Sequence, residues 1–111
     1  MDGYFFEDGS IASTVVEPGR VTRKVKARGG KLMMVEVGFA GGVELKEHEH
    51  PHEQSTYCLE GEFDFTVGGK TARIRAGDSV YIPGGLRHQA SCVVAGRLLD
   101  CFTPQREDFL A

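Results

Sequence analysis

Alternation limits this chain most. Apolar residues recur at every second position in short runs, at Met33, Val35, Val37 and Phe39, then Phe63, Phe65 and Val67, then Ala72 and Ile74, then Val80 and Ile82. Successive side chains of a strand point to opposite faces, so a period of two marks strands with one buried face. Gly29-Gly30, Gly41-Gly42, Gly68-Gly69 and Gly84-Gly85 punctuate the runs, and 15 glycines in 111 residues, nearly twice the usual share of about 7%, imply many tight turns. FDFTVGGKTARIR reads as a hairpin turning on Gly68-Gly69. The GGKT inside it is not a phosphate loop, because the glycine needed five positions before Gly69 is Asp64. No helical segment of ten or more residues is visible. Only the tail, TPQREDFL, suggests a short helical turn, with Thr103 as N-cap and Pro104 at the first helical position. About eight to ten short strands predict an all-β antiparallel sandwich or barrel. Length predicts one domain over residues 1–111, with 1–20 as an N-terminal arm or strand.

A chain of 12.1 kDa is large enough to bury a core without disulfides or metals merely to fold. Cys58, Cys92 and Cys101 form no CxxC pair and are odd in number, so they read as free, strand-borne thiols in a reducing compartment. The acidic start MDGYFFEDGS has no basic signal-like region, and no apolar run approaches the roughly 18 residues of a membrane span, so a cytoplasmic protein without a membrane partner is expected. A net charge of −3 gives no global attraction for nucleic acid. Arg20, Arg23, Lys24, Lys26, Arg28 and Lys31 form a local basic run, interleaved with Val21 and Val25. It reads as a solvated strand whose charges discourage edge pairing, with steering of an anionic ligand as the other reading.

Three of the four histidines sit in EHEHPHEQ, residues 47–54. On a strand His48 and His50 present both imidazoles to one face, which is bidentate metal geometry. Pro51 interrupts the ladder, so the side taken by His52 does not follow; it lines a pocket or faces solvent. Gln54 can return its amide oxygen toward the same site, and His88 is the one remaining histidine able to add a fourth ligand. The competing reading is a set of satisfied core or surface histidines.

Two blocks resemble the cupin motifs. GVELKEHEHPHEQSTYCLEG fits G, five residues, HxH, three residues, usually Glu, six residues, G; GDSVYIPGGLRH fits G, five residues, PxG, two residues, H. The departures are Gln54 where most cupins have Glu, and Cys92 where many have Asn. The resemblance implies a double-stranded β-helix jelly roll with His48, His50, Gln54 and His88 around a divalent transition metal: nickel, zinc, manganese or iron. It also implies a homodimer, as is usual for small cupins with a spare N-terminal arm. Three imidazoles and an amide would leave such an ion its full +2 charge, so the centre should draw anions and favour Lewis-acid work over oxygen chemistry.

The run RLLDCFTPQREDFL places Asp100 and Phe102 on one face of a strand and Arg106 just beyond it. A carboxylate on a mostly apolar strand is costly unless paired or used. Asp100 and Arg106 are thus either an ion pair pinning the tail or an acid/base group beside an anion-binding guanidinium. HxHPHEQ together with DxFTPxREDF resembles the KdgF family, small cupins of pectin and alginate breakdown that linearise 4,5-unsaturated monouronates. That resemblance implies a small anionic sugar as substrate, Asp100 and Arg106 as catalytic residues, and Phe102 and Arg106 against the sugar. Other expectations for a cupin are a metal-dependent oxygenase, revealed by oxygen consumption, and a non-catalytic sugar-binding or sensor module.

Overall fold

The computed structural model describes residues 3–110; the ends of the expected domain at residues 1, 2 and 111 lie outside it. Seven antiparallel strands follow in order: β1 (Thr14–Glu17), β2 (Val21–Gly29), β3 (Leu32–Phe39), β4 (Glu53–Val67), β5 (Lys70–Arg75), β6 (Ser79–Ile82) and β7 (His88–Thr103). Hydrogen bonding runs β1-β2-β3-β7-β4-β5, and β6 pairs with β4. The all-β jelly roll is as expected, and the hairpin turns on Gly68 and Gly69, both at positive φ.

The strands are fewer and longer than alternation suggested. β4 and β7 pair along almost their whole length, but the register slips three times between Cys58 and Phe63. Such bulges bend a strand, and an odd slip exchanges its faces. Gln54, Thr56 and Cys58 point inward before the bend, and Phe63 and Phe65 after it. Each long strand thereby serves both layers of a sandwich while keeping apolar residues inside. At the bend the backbones meet so closely that a Cβ on Gly96 would lie 2.0 Å from the Glu60 carbonyl oxygen.

The second layer is completed by an irregular segment before β4, tied to β7 by Gly42 N to Cys92 O, Cys92 N to Val43 O and Leu45 N to Ala90 O. The ladder ends with His48 and His88 exchanging both backbone bonds at 2.9 Å. Val21, Phe39, Cys58, Phe63, Ile82 and Leu98 form the main core between the layers, with Phe39 and Phe63 edge to face at 5.3 Å. Met33, Val35 and Phe102 make a smaller cluster under Phe109. Cys58, Cys92 and Cys101 are free, and burial raises the pKa of each, as befits packing rather than reactivity.

The N-terminal stretch, expected as an arm or strand, supplies a strand, while the C-terminal end differs from expectation. Within the N-terminal stretch, residues 14–17 join the sheet as edge strand β1, and Asp8 before them holds Lys24 and Lys26 at 3.0 and 2.7 Å. At the other end Thr103 is not an N-cap. Its backbone belongs to the β7 ladder, opposite Glu53; a cis bond joins it to Pro104, and the helical turn begins later, as a 3-10 turn at Glu107–Phe109.

Candidate metal centre

His48 and His50 lie on the irregular connection into β4, Gln54 on β4 and His88 at the start of β7. The backbone exchange between His48 and His88 sets their rings 4.2 Å apart between centroids, and His50 approaches His88 to 4.8 Å. The ligand nitrogens of the three histidines lie within 4.8 Å of one another. His50 and His88 are buried and His48 is exposed, so the cluster opens to one side.

Each ring is aimed by its own loop. The Nδ1–H of His48 donates to Lys46 O at 2.9 Å, that of His50 to His52 O at 3.0 Å, and that of His88 to Leu86 O at 2.9 Å. These bonds select the tautomer whose Nε2 carries a free lone pair, the arrangement that supports metal-binding histidines. His88 Nε2 is buried without a partner among the described residues. The amide of Gln54 donates from Nε2 to Thr56 Oγ1 at 2.8 Å, which turns Oε1 toward His50 Nε2 at 3.0 Å. Two lone-pair atoms then face each other at hydrogen-bond distance with no proton between them. A cation resolves that conflict as well as the orphaned His88 Nε2, so this donor set fits a divalent metal. Desolvation, the largest cause, lowers the pKa of both His50 and His88 and keeps them neutral for that purpose.

The loop carrying His50 is clamped by the turn after β6. Gly85 N donates to His50 O at 2.8 Å, and a Cβ on Gly84 would lie 2.4 Å from Pro51 O. Gly84→Ala should therefore push this loop off the turn, weakening metal binding by about 10-fold or more, in the range that loss of outer-shell support costs. Titration against a chromogenic chelator measures it; wild-type affinity in the variant would mean the clamp has no bearing on the site.

Beside the histidines lies a cavity of about 180 Å³, lined by His48, Gln54, His88, Asp100, Phe102 and Arg106 among others. That exceeds the roughly 150 Å³ that accommodates benzene, giving room for one small ring. The Asp100–Arg106 ion pair, one of the two readings of this tail, is not formed among the described residues. Arg106 instead makes a bidentate pair with Asp108, Nε to Oδ1 at 3.0 Å and Nη2 to Oδ2 at 2.9 Å, and stacks over Phe109 at 4.2 Å and Phe102 at 5.1 Å. The bonded partner of Asp100 is Thr56, whose hydroxyl donates to Oδ1 at 2.6 Å; Gln54 Nε2 adds a longer contact at 3.4 Å. Desolvation pushes the Asp100 pKa up to about 6, against the opposing pull of Thr56 and Arg106. A chain of hydrogen bonds thus runs from the Gln54 amide through the Thr56 hydroxyl to Asp100.

Thr56 escaped the sequence reading, and Arg23 entered it only as one member of the basic run. Thr56 shares the inward face with Gln54, two residues away, and that spacing was the available signal. Arg23, read as part of a solvated strand, instead lines the cavity and stacks over Phe109 at 4.0 Å, because it shares the inward side of β2 with Val21 and Val25. His52 keeps to the margin: its ring stands 5.4 Å from His50 and 6.4 Å from Phe102.

The chain matches the family model for the cupin domain over residues 32–100. A search of curated proteins returned no match. Among solved structures, an RmlC-like cupin from Shewanella frigidimarina is 35% identical with a TM-score of 0.90, the alignment covering 95% of this chain and 94% of that one. KdgF from Halomonas sp. is 32% identical with a TM-score of 0.88, covering 95% and 96%. The polyketide cyclase RemF from Streptomyces resistomycificus shares the fold at 20% identity, with a TM-score of 0.75 over 89% of this chain and 78% of that one. A histidine triad at the mouth of a bent β sandwich, the two spaced motifs that supply it, and these likenesses lead to one conclusion: the chain belongs to the cupin family.

Proposed function

We propose that this cupin opens and ketonises the ring of 4,5-unsaturated monouronates from pectin or alginate, yielding linear keto uronates. The observation that carries this reading is the position of Asp100: a carboxyl with a pKa of about 6 shares one ring-sized cavity with the histidine cluster and Arg106. Such a carboxyl can take and return a proton near neutrality. The likeness to KdgF from Halomonas sp. supports the choice of substrate. A divalent cation held by His48, His50, Gln54 and His88 supplies Lewis-acid polarisation of substrate oxygens.

The protein's own groups divide the remaining work. Asp100 removes the proton of the anomeric hydroxyl; as the C1 carbonyl forms, the bond from C1 to the ring oxygen breaks and its electron pair stays on that oxygen. The resulting enolate is conjugated with the sugar carboxylate, and the Arg106 guanidinium offsets its charge. Protonated Asp100 returns the proton to C4, directly or through water, so the reaction is a net isomerisation. Thr56 holds Asp100 in place throughout, and Phe102 offers the ring an apolar wall.

Incubation with unsaturated galacturonate or its alginate-derived counterpart should abolish the enol-ether absorbance, chelator should stop the loss, and added divalent metal should restore it. Metal-loaded protein that left the absorbance decaying no faster than buffer on both sugars would refute the assignment.

A further inference from the structure

The mechanism above leaves one cation of the cavity without a task. Arg23 is half-buried on β2, and among the described residues no carboxylate pairs with it; its one close contact of note is the Phe109 ring, 4.0 Å away. Its neighbours differ. Lys24 and Lys26 hold Asp8, Arg20 lies 4.0 Å from Glu17, and Arg28 donates to Gln105 at 3.2 Å. Arg106 also lies over Phe109, at 4.2 Å, so the two guanidinium groups are no more than about 8 Å apart.

Two like charges at that separation repel more strongly in a half-buried cavity than in water. Asp108 offsets Arg106, and its bidentate grip occupies Nε and Nη2 of that guanidinium. Asp100, the carboxyl on the cavity wall, already accepts from Thr56 and Gln54. The cavity is therefore one anion short, and the deficit lies at Arg23. Its planar fork suits two parallel bonds to a carboxylate, and the stack on Phe109 fixes the plane of the fork beforehand.

We propose that Arg23 binds the carboxylate of the sugar acid, forming with Arg106 a two-guanidinium clamp about Phe109 that selects anionic over neutral sugars. The identity of the acid rests on the proposed function; the anion site does not.

Calorimetric titration of metal-loaded protein with D-galacturonate and with its neutral methyl ester separates the two ideas, since galacturonate lacks the enol ether and binding alone is read. Wild type should prefer the acid. Arg23→Gln should lose about 10- to 100-fold in affinity for the acid, as expected for a lost charge-assisted bond, while binding the ester as before. Arg23→Lys, which keeps the charge without the fork, should fall between them. Metal content and thermal melts confirm that each variant is folded and loaded; if the glutamine variant does not fold, an acid-over-ester preference unchanged in the lysine variant overturns the assignment. Undiminished acid binding by Arg23→Gln, equal losses for acid and ester, or no acid binding by wild type also overturns it. If wild type ketonises no unsaturated uronate yet shows an Arg23-dependent preference for the acid, the ring-opening reading falls and the anion site stands.

Discussion

His50→Ala protein is expected to leave purification with almost no divalent metal and no measurable turnover. His50 is 9% exposed, its Nδ1–H is committed to His52 O, and its Nε2 faces the amide oxygen of Gln54. Removing the ring therefore deletes a ligand and leaves Gln54 Oε1 facing a void. Loss of an outer-shell partner alone costs roughly 10- to 100-fold in metal affinity, and loss of a ligand should exceed that. Because an ion that binds the folded state stabilises it, chelator should lower the melting temperature of wild type and leave that of His50→Ala unchanged. Elemental analysis and paired melts provide the check. Metal at the wild-type ratio in the variant would show that the histidine cluster is not the binding site.

How much of this was readable beforehand depends on whether a feature is local. The HxH spacing, Gln54, the PxG turn and His88 are local patterns, and the structure brings all four donors together. The hairpin at Gly68-Gly69 was equally plain, because a two-residue turn states its backbone requirement in its own residues. Features that depend on a neighbouring strand were not. A bulge and a strand break both interrupt alternation, so β4 and β7 looked like several short strands until their pairing showed one bend. The partner of Asp100 was misjudged for the same reason: charge complementarity suggested Arg106, but register places Thr56 directly across from Asp100 and leaves Arg106 to Asp108. Arg23 was obscured by its basic neighbours, although its parity with Val21 and Val25 already set it on the inward face. The tail kept its expected helical turn but not the start expected for it, since the ladder claims Thr103 and the turn begins only at Glu107.

Asp100→Asn is expected to keep its metal and lose about 10²- to 10⁴-fold in kcat, the usual worth of a positioned proton carrier. The substitution is nearly isosteric. Its amide oxygen can still accept from the Thr56 hydroxyl, and Gln54 remains anchored on Thr56 Oγ1 at 2.8 Å, so the donor set around the metal is undisturbed. An amide cannot take the anomeric proton. Were Asp100 only a strut for Thr56 and Gln54, the asparagine variant would work nearly as well as wild type, because the strut's bonds survive. Were it a ligand, metal content would fall with activity. The proton-carrier role alone predicts full metal, intact fold and lost turnover on unsaturated uronate, read from elemental analysis, melts and enol-ether absorbance on the same sample. Turnover within a few-fold of wild type would remove Asp100 from the chemistry and require another group to take the proton, for which the cavity wall offers no second carboxyl among the described residues.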